Sequence, residues 1–143
     1  MSIQDALQRA QESARQMLED DVATRRLGIE ISDVAPGRAT ARMSLAQDML
    51  NGHGIGHGGY VFLLADTAFA FACNTYGAPT VARGCDISYL RPTHAGDVLH
   101  ATAREVVRAG RSGIYDVTVR TDDGGIVAEF RGHSAVMSAR EPA

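Results

Sequence analysis

One acidic side chain stands in the middle of the most apolar stretch of this sequence. Asp66 lies among Phe62, Leu63, Ala65, Phe69 and Ala70, surroundings in which an unpaired carboxylate is costly. Such a group is either tied to a hydroxyl or a backbone amide as a structural anchor, or held out of water for catalysis. At helical spacing Phe62, Asp66, Phe69 and Cys73 share one face. The second feature is His57-Gly58-Gly59, directly ahead of the same stretch. If a helix opens there, the N–H groups of Gly58 and Gly59 point outward with the positive end of the helix dipole behind them. With no side chain in the way, an oxygen gaining negative charge can approach, which is how an oxyanion hole is built; the same glycines would also serve tight loop packing. Eight residues separate Gly58 from Asp66, about 12 Å along one helix. A carboxylate and an oxyanion donor serving one carbonyl must each lie about 3 Å from the reacting atoms. One chain cannot bring the two together. If both act on one substrate, Asp66 must meet Gly58 of a second subunit, in an obligate dimer with two shared sites.

Other chemistries find less support. Asn51 can orient a water or cap a turn, and its residue type favours the cap. His53 and His57 have the spacing of a metal pair on a helix, but glycines at 52, 54, 56, 58 and 59 argue against a helix there, and no third ligand is near. The expected metal is none. No GxSxG motif supports a serine nucleophile, and Cys73 is set in an apolar face that would keep its thiol protonated. The hydroxyl of Thr67 can steady a water or bond its own helix backbone. All 14 basic residues are arginine, which excludes Schiff-base and phosphate-loop lysine chemistry. With 17 acids and a formal charge of −3, no basic surface for nucleic acid is expected.

The elements that must position these residues follow from the pattern. Residues 3–19 form an amphipathic peripheral helix. Strands are expected over Leu27–Ile31 and Ala39–Leu45, around the turn Ala35-Pro36-Gly37-Arg38, with a short turn or helix over Ala46–Leu50. Gly59–Asn74 is apolar around the whole helical circumference, which demands burial on every side. Four strands follow, Thr80–Leu90, Asp97–Val107, Gly113–Thr121 and Ile126–Met137, the last two joined by the hairpin signal Asp122-Asp123-Gly124-Gly125. The class is α+β: one long helix wrapped by a curved antiparallel sheet, the arrangement of a hot-dog fold. The 143 residues make one domain, 1–143. Two cysteines without a CxxC pair, a polar N-terminus and no apolar run of spanning length point to the cytoplasm, with no membrane partner.

The motif Asn51-Gly52-His53, His57-Gly58-Gly59, Leu64-Ala65-Asp66-Thr67-Ala68-Phe69-Ala70 and Ala72-Cys73-Asn74 resembles the signature of PaaI-type hot-dog thioesterases of phenylacetate degradation. Tyr89-Leu90-Arg91-Pro92, Ala95-Gly96-Asp97, Gly113-Ile114-Tyr115-Asp116 and Phe130-Arg131-Gly132 extend the likeness over roughly residues 15–137. The resemblance implies hydrolysis of aryl- and phenylacetyl-type coenzyme A thioesters, ring-hydroxylated ones favoured, without metal or bound cofactor. It assigns the catalytic carboxylate to Asp66, the oxyanion amide to Gly58, the helix-start histidine to His57, and the placing of water or thioester to Asn51. It also implies sites shared across a homodimer, and dimers paired into tetramers. Around this frame, Phe62, Phe69 and Leu63 are candidates for an aryl slot, with Asn74 or Tyr76 near a ring hydroxyl. Arg91 and Arg111 are candidates for the coenzyme A phosphates. Hot-dog folds also host acyl-thioester hydratases and dehydratases, and a non-catalytic acyl-CoA-binding module is a further alternative.

Overall fold

The structure, a computed structural model, describes residues 1–137; residues 138–143, which the single-domain reading includes, lie outside them. The elements run α1 (Ile3–Asp20), α2 (Val22–Arg26), β1 (Glu30–Ala35), β2 (Arg38–Ser44), a 3-10 turn (Gln47–Met49), α3 (Gly58–Cys73), β3 (Thr80–Tyr89), β4 (Val98–Ala109), β5 (Ser112–Thr121) and β6 (Ile126–Val136). The six strands form one antiparallel sheet in the order β1-β2-β4-β5-β6-β3. The chain leaves the sheet after β2, lays α3 along one face, and returns at the far edge as β3. This is the helix-in-sheet arrangement expected from the sequence.

Period-two alternation decides which face meets the helix. Ala39, Ala41 and Met43 of β2, Leu99, Ala101 and Ala103 of β4, and Tyr115, Val117 and Val119 of β5 are all buried. The paired row Ala41, Ala101, Val119 and Ala128 is made of small side chains, so the helix can settle close to the sheet. Gly132 is used the same way: a Cβ there would stand 2.7 Å from the Phe69 ring. The opposite face carries the row Arg104, Asp116, Arg131 and Asp86, in register across four strands. Arg131 donates to both Asp116 oxygens at 2.7 and 2.9 Å. That alternation of sign keeps the outer face wet.

One expectation needs correction. The strand expected over Leu27–Ile31 starts later, at Glu30, and runs to Ala35. Asp21 caps a short helix by accepting from the Thr24 N–H at 3.0 Å, Gly28 turns the chain at φ 69, and β1 begins only at Glu30. The local cap outcompetes the apolar run.

The two sheet edges differ. α1 packs against β1 with Ala10 and Ala14 buried. The outer edge of β3 pairs with nothing among the described residues, and most of that strand is exposed, Val81 and Tyr89 included.

Candidate active site

The helix is not covered on every side. Val61, Leu64, Ala65, Ala68, Phe69 and Ala72 are buried against the sheet, while Gly59, Phe62, Leu63, Asp66 and Ala70 remain partly or fully accessible. These five recur at spacings of three and four, so they form one stripe along the helix. Asp66 sits in the middle of it, half-buried. Its carboxylate accepts no hydrogen bond among the described residues, so the anchoring hydroxyl or amide is absent. Burial among apolar neighbours pushes its pKa up from the ordinary carboxylate value. Phe62 shares the stripe, its ring 5.6 Å from that of Phe130. Phe69 and Cys73 do not: both are buried core, and burial pushes the Cys73 thiol up to about 12. Of the aryl-slot candidates Phe62, Phe69 and Leu63, Phe69 is therefore core, while Phe62 and Leu63 stay accessible.

At the helix start, His57 is the N-cap. Its ring Nδ1 accepts from the Gly59 N–H at 2.9 Å, which leaves Nε2 as the ring's N–H donor in that bond. The Gly58 N–H donates to no acceptor among the described residues. Of the two glycine donors expected to be free, only Gly58 is. The Gly58 carbonyl accepts from the Tyr89 hydroxyl at 3.0 Å. A Cβ on residue 58 would lie 3.1 Å from the Tyr89 ring, so glycine also serves this close approach. Tyr89 was not among the candidates, because its partner lies 31 positions away and no local pattern marks the contact.

Asn51 closes the glycine-rich loop and keeps a donor in hand. Its Oδ1 accepts from the N–H of His53 at 2.9 Å and of Ile55 at 3.4 Å. Its Nδ2 remains a donor, and the residue lines a cleft of about 460 Å³ together with Gly58, Tyr89, Arg91 and Thr93. Arg91 lies flat over Gly125, within 3.2 Å of the Thr121 hydroxyl and 3.6 Å of Asp123. On the other side of the helix start, a second cleft of about 480 Å³ is lined by Asp48, Leu50, His57, Gly59, Tyr60 and Leu63.

Thr93 is 2 % exposed and its hydroxyl has no partner among the described residues. An orphaned buried hydroxyl costs about 1–3 kcal/mol. Thr93→Val, which keeps the shape, is expected to raise the melting temperature by a few degrees; an unchanged or lower midpoint would show that the hydroxyl is satisfied in solution.

Several candidates are placed elsewhere. The Thr67 hydroxyl donates to the Leu63 carbonyl at 2.7 Å, as a helix-bound threonine does. Arg111 lies beyond the C-terminal end of the helix, donating to the Val136 carbonyl at 3.0 and 2.9 Å, so one chain does not bring it to Arg91. Asn74 is occupied in joining Ala70 to Thr80, and the Tyr76 hydroxyl donates to Glu105 at 2.7 Å; neither is available to a ring hydroxyl. Among the described residues no cluster of three or more His, Cys, Asp or Glu could hold a metal, and no helix is long and apolar enough to cross a membrane.

Within one chain, then, the free Gly58 N–H and the unpartnered Asp66 stand on one unbroken helix, about 12 Å apart. The arrangement presents an open N–H donor at one point and an unpartnered carboxylate at another.

The family model of the thioesterase superfamily matches residues 53–128. The acyl-coenzyme A thioesterase PaaI of Escherichia coli K12 is 44% identical over 126 residues, covering 88% of this chain and 90% of that protein. The structure of the E. coli PaaI protein from the phenylacetic acid degradation operon superposes with a TM-score of 0.91 at 41% identity, covering 96% of this chain and 97% of the other. A mutant of the phenylacetic acid degradation protein PaaI of Thermus thermophilus gives 0.78 at 39% identity, with 82% and 100% covered. A Streptococcus mutans protein bound to acetyl CoA gives 0.74 at 26% identity, with 79% and 91% covered. With its free glycine amide at the head of a sheet-wrapped helix, the chain belongs to the thioesterase superfamily, among the PaaI-type hot-dog enzymes.

Proposed function

We propose that this enzyme hydrolyses acyl-coenzyme A thioesters to the free acid and coenzyme A, with aryl and phenylacetyl-type acyl groups as its substrates. The observation that carries the reading is the Gly58 N–H, a donor left open at a helix start whose neighbouring amide is already taken by His57. The thioester oxygen accepts from Gly58 and is polarised by the helix dipole as it gains charge. Asp66 of a second subunit faces the carbonyl. It either takes a proton from a water held with the Asn51 amide, or attacks the carbonyl itself to give a mixed anhydride that water then opens. In both routes the carbon–sulfur bond breaks and the thiol leaves. Transfer of solvent oxygen-18 into the enzyme's carboxylate in a single turnover marks the anhydride route.

The shared site requires at least a homodimer. The accessible stripe on α3 and the unpaired edge of β3 are adjacent surfaces that a second copy would cover, and pairing of dimers into tetramers belongs to the same reading. No cofactor is required by these steps. Two free cysteines, one of them exposed, suit a reduced cytoplasmic setting.

The test is thiol release from a panel of aryl and alkyl thioesters, with an enoyl thioester included. Release of coenzyme A that is fastest with aryl substrates supports the proposal. Saturable binding without thiol release, or hydration of the enoyl substrate, would replace it.

A further inference from the structure

Gly58 and Gly59 open α3 side by side, where the first N–H groups of a helix have no partner within it to steady them. A glycine Cα is a point of easy rotation. The direction of the open Gly58 N–H therefore depends on what grips the peptide units on either side of that Cα. The unit before it is held by its carbonyl, since the His57 oxygen accepts from the Tyr60 N–H at 3.0 Å. The unit after it is held at both ends. Its N–H, that of Gly59, donates to His57 Nδ1 at 2.9 Å, and its carbonyl, that of Gly58, accepts from the Tyr89 hydroxyl at 3.0 Å. His57 and Tyr60 belong to the same turn as the glycines and move with them. Tyr89 does not. It ends β3, in register with Ala128 of β6, and the next residue, Leu90, donates to the Val127 carbonyl at 2.8 Å.

Resting on the thioesterase reading, we infer that Tyr89 is a positioning residue: it ties Gly58 to the sheet and so holds the open amide in place in the cleft that Tyr89, Gly58 and Asn51 line together. Its ring bears on the same backbone, 3.1 Å from where a Cβ on residue 58 would stand. Tyr89 and Gly58 belong to one chain, so the tie is complete without a second subunit. As a structural bond it is worth little, because Tyr89 is exposed and the bond is open to water. An oxyanion donor, in contrast, acts through placement: it must already stand about 2.7–3.1 Å from the position the charged oxygen will occupy.

Tyr89→Phe keeps the ring and removes the hydroxyl. With phenylacetyl-CoA, kcat is expected to fall about tenfold, less than outright deletion of an oxyanion donor costs. KM, and the Kd of S-phenethyl-CoA, a thioether with no carbonyl oxygen for Gly58, should stay within about twofold. The melting temperature should stay within a few degrees, while the nitrogen-15 order parameter of the Gly58 amide falls below the rigid value of about 0.85. An unchanged kcat or an unchanged order parameter overturns the role. Thioether binding that weakens in step with kcat makes Tyr89 a substrate contact, and a collapsed melting temperature assigns it to the fold; either also overturns the role. All four results leave the thioesterase reading standing. Absence of thiol release by the unaltered protein removes that reading and this role together.

Discussion

Asp66→Asn is expected to lower kcat by about a thousandfold or more, the scale on which loss of a general base or nucleophile is felt, and to leave the fold intact. The carboxylate is half-buried, accepts no hydrogen bond and forms no ion pair among the described residues, so the isosteric amide breaks no contact. The same substitution should also stabilise. Burial holds the Asp66 pKa above its ordinary value of 3.8, so as pH rises the unfolded chain ionises this group first. Ionisation therefore works against the folded state through the window from the ordinary value up to the raised one, and its full cost persists above that window. The variant should melt at a higher temperature than the natural protein at neutral pH, and the gap should close below the ordinary carboxylate range. Because the ionised form is the reactive one, kcat/KM should fall on the acid side at a pH above that range. A variant with full activity, or one that melts lower at neutral pH, would return Asp66 to a structural anchor.

The second large effect is expected at Gly58→Pro. Proline is tolerated at the first position of a helix because the N–H it lacks has no helical partner. Residue 57 already has the extended geometry that a following proline requires, φ −65 and ψ 129. The ring meets Tyr89, which is 52% exposed and has room to move. The substitution therefore deletes one donor and little else. Loss of an oxyanion-hole donor costs about a hundredfold to a thousandfold in kcat. Gly58→Ala keeps the N–H while adding a Cβ beside Tyr89, and should lose much less. Co-expression of Gly58→Pro and Asp66→Asn chains under different tags then tests the shared site. In a purified heterodimer one site combines an intact Gly58 with an intact Asp66, and the other has neither, so about half of the natural activity per dimer should return. Heterodimers as inactive as either parent would show that Gly58 and Asp66 of different chains do not serve one site.

Much of this arrangement was legible in residue order because its signals are local. A sixteen-residue run apolar on all sides specifies a buried helix, and alternation in Ala39–Met43 or Ser112–Thr121 specifies strands and their inner faces. The motif around His57-Gly58-Gly59 and Asp66 placed the chain in its family, and rise along a helix alone separated the donor from the carboxylate. Other points were hidden by equally physical causes. The apolar run at Leu27–Ile31 reads as strand, but the Asp21 cap and Gly28 delay the strand until Glu30. Phe69, Asn74 and Tyr76 have residue types suited to substrate, but packing against Gly132, hydrogen bonds to Ala70 and Thr80, and a hydrogen bond to Glu105 claim them in turn.

By itself, the sequence determined the class of the fold, the central helix with its lone acid, and the impossibility of one chain placing Asp66 at its own Gly58. Those conclusions depend on periodicity, charge and rise per residue, which the chain carries at every point. The tertiary structure alone decided which glycine amide is open, since that turns on where the His57 ring lies. It decided that the sheet leaves one stripe of the helix accessible, with Asp66 on it. It also divided the helix start between a cleft bordered by Arg91 and one bordered by Asp48. The accessible stripe and the Arg91 cleft depend on residues distant in sequence, which only the folded sheet brings together, while the His57 ring is placed by the path of the loop ahead of the helix.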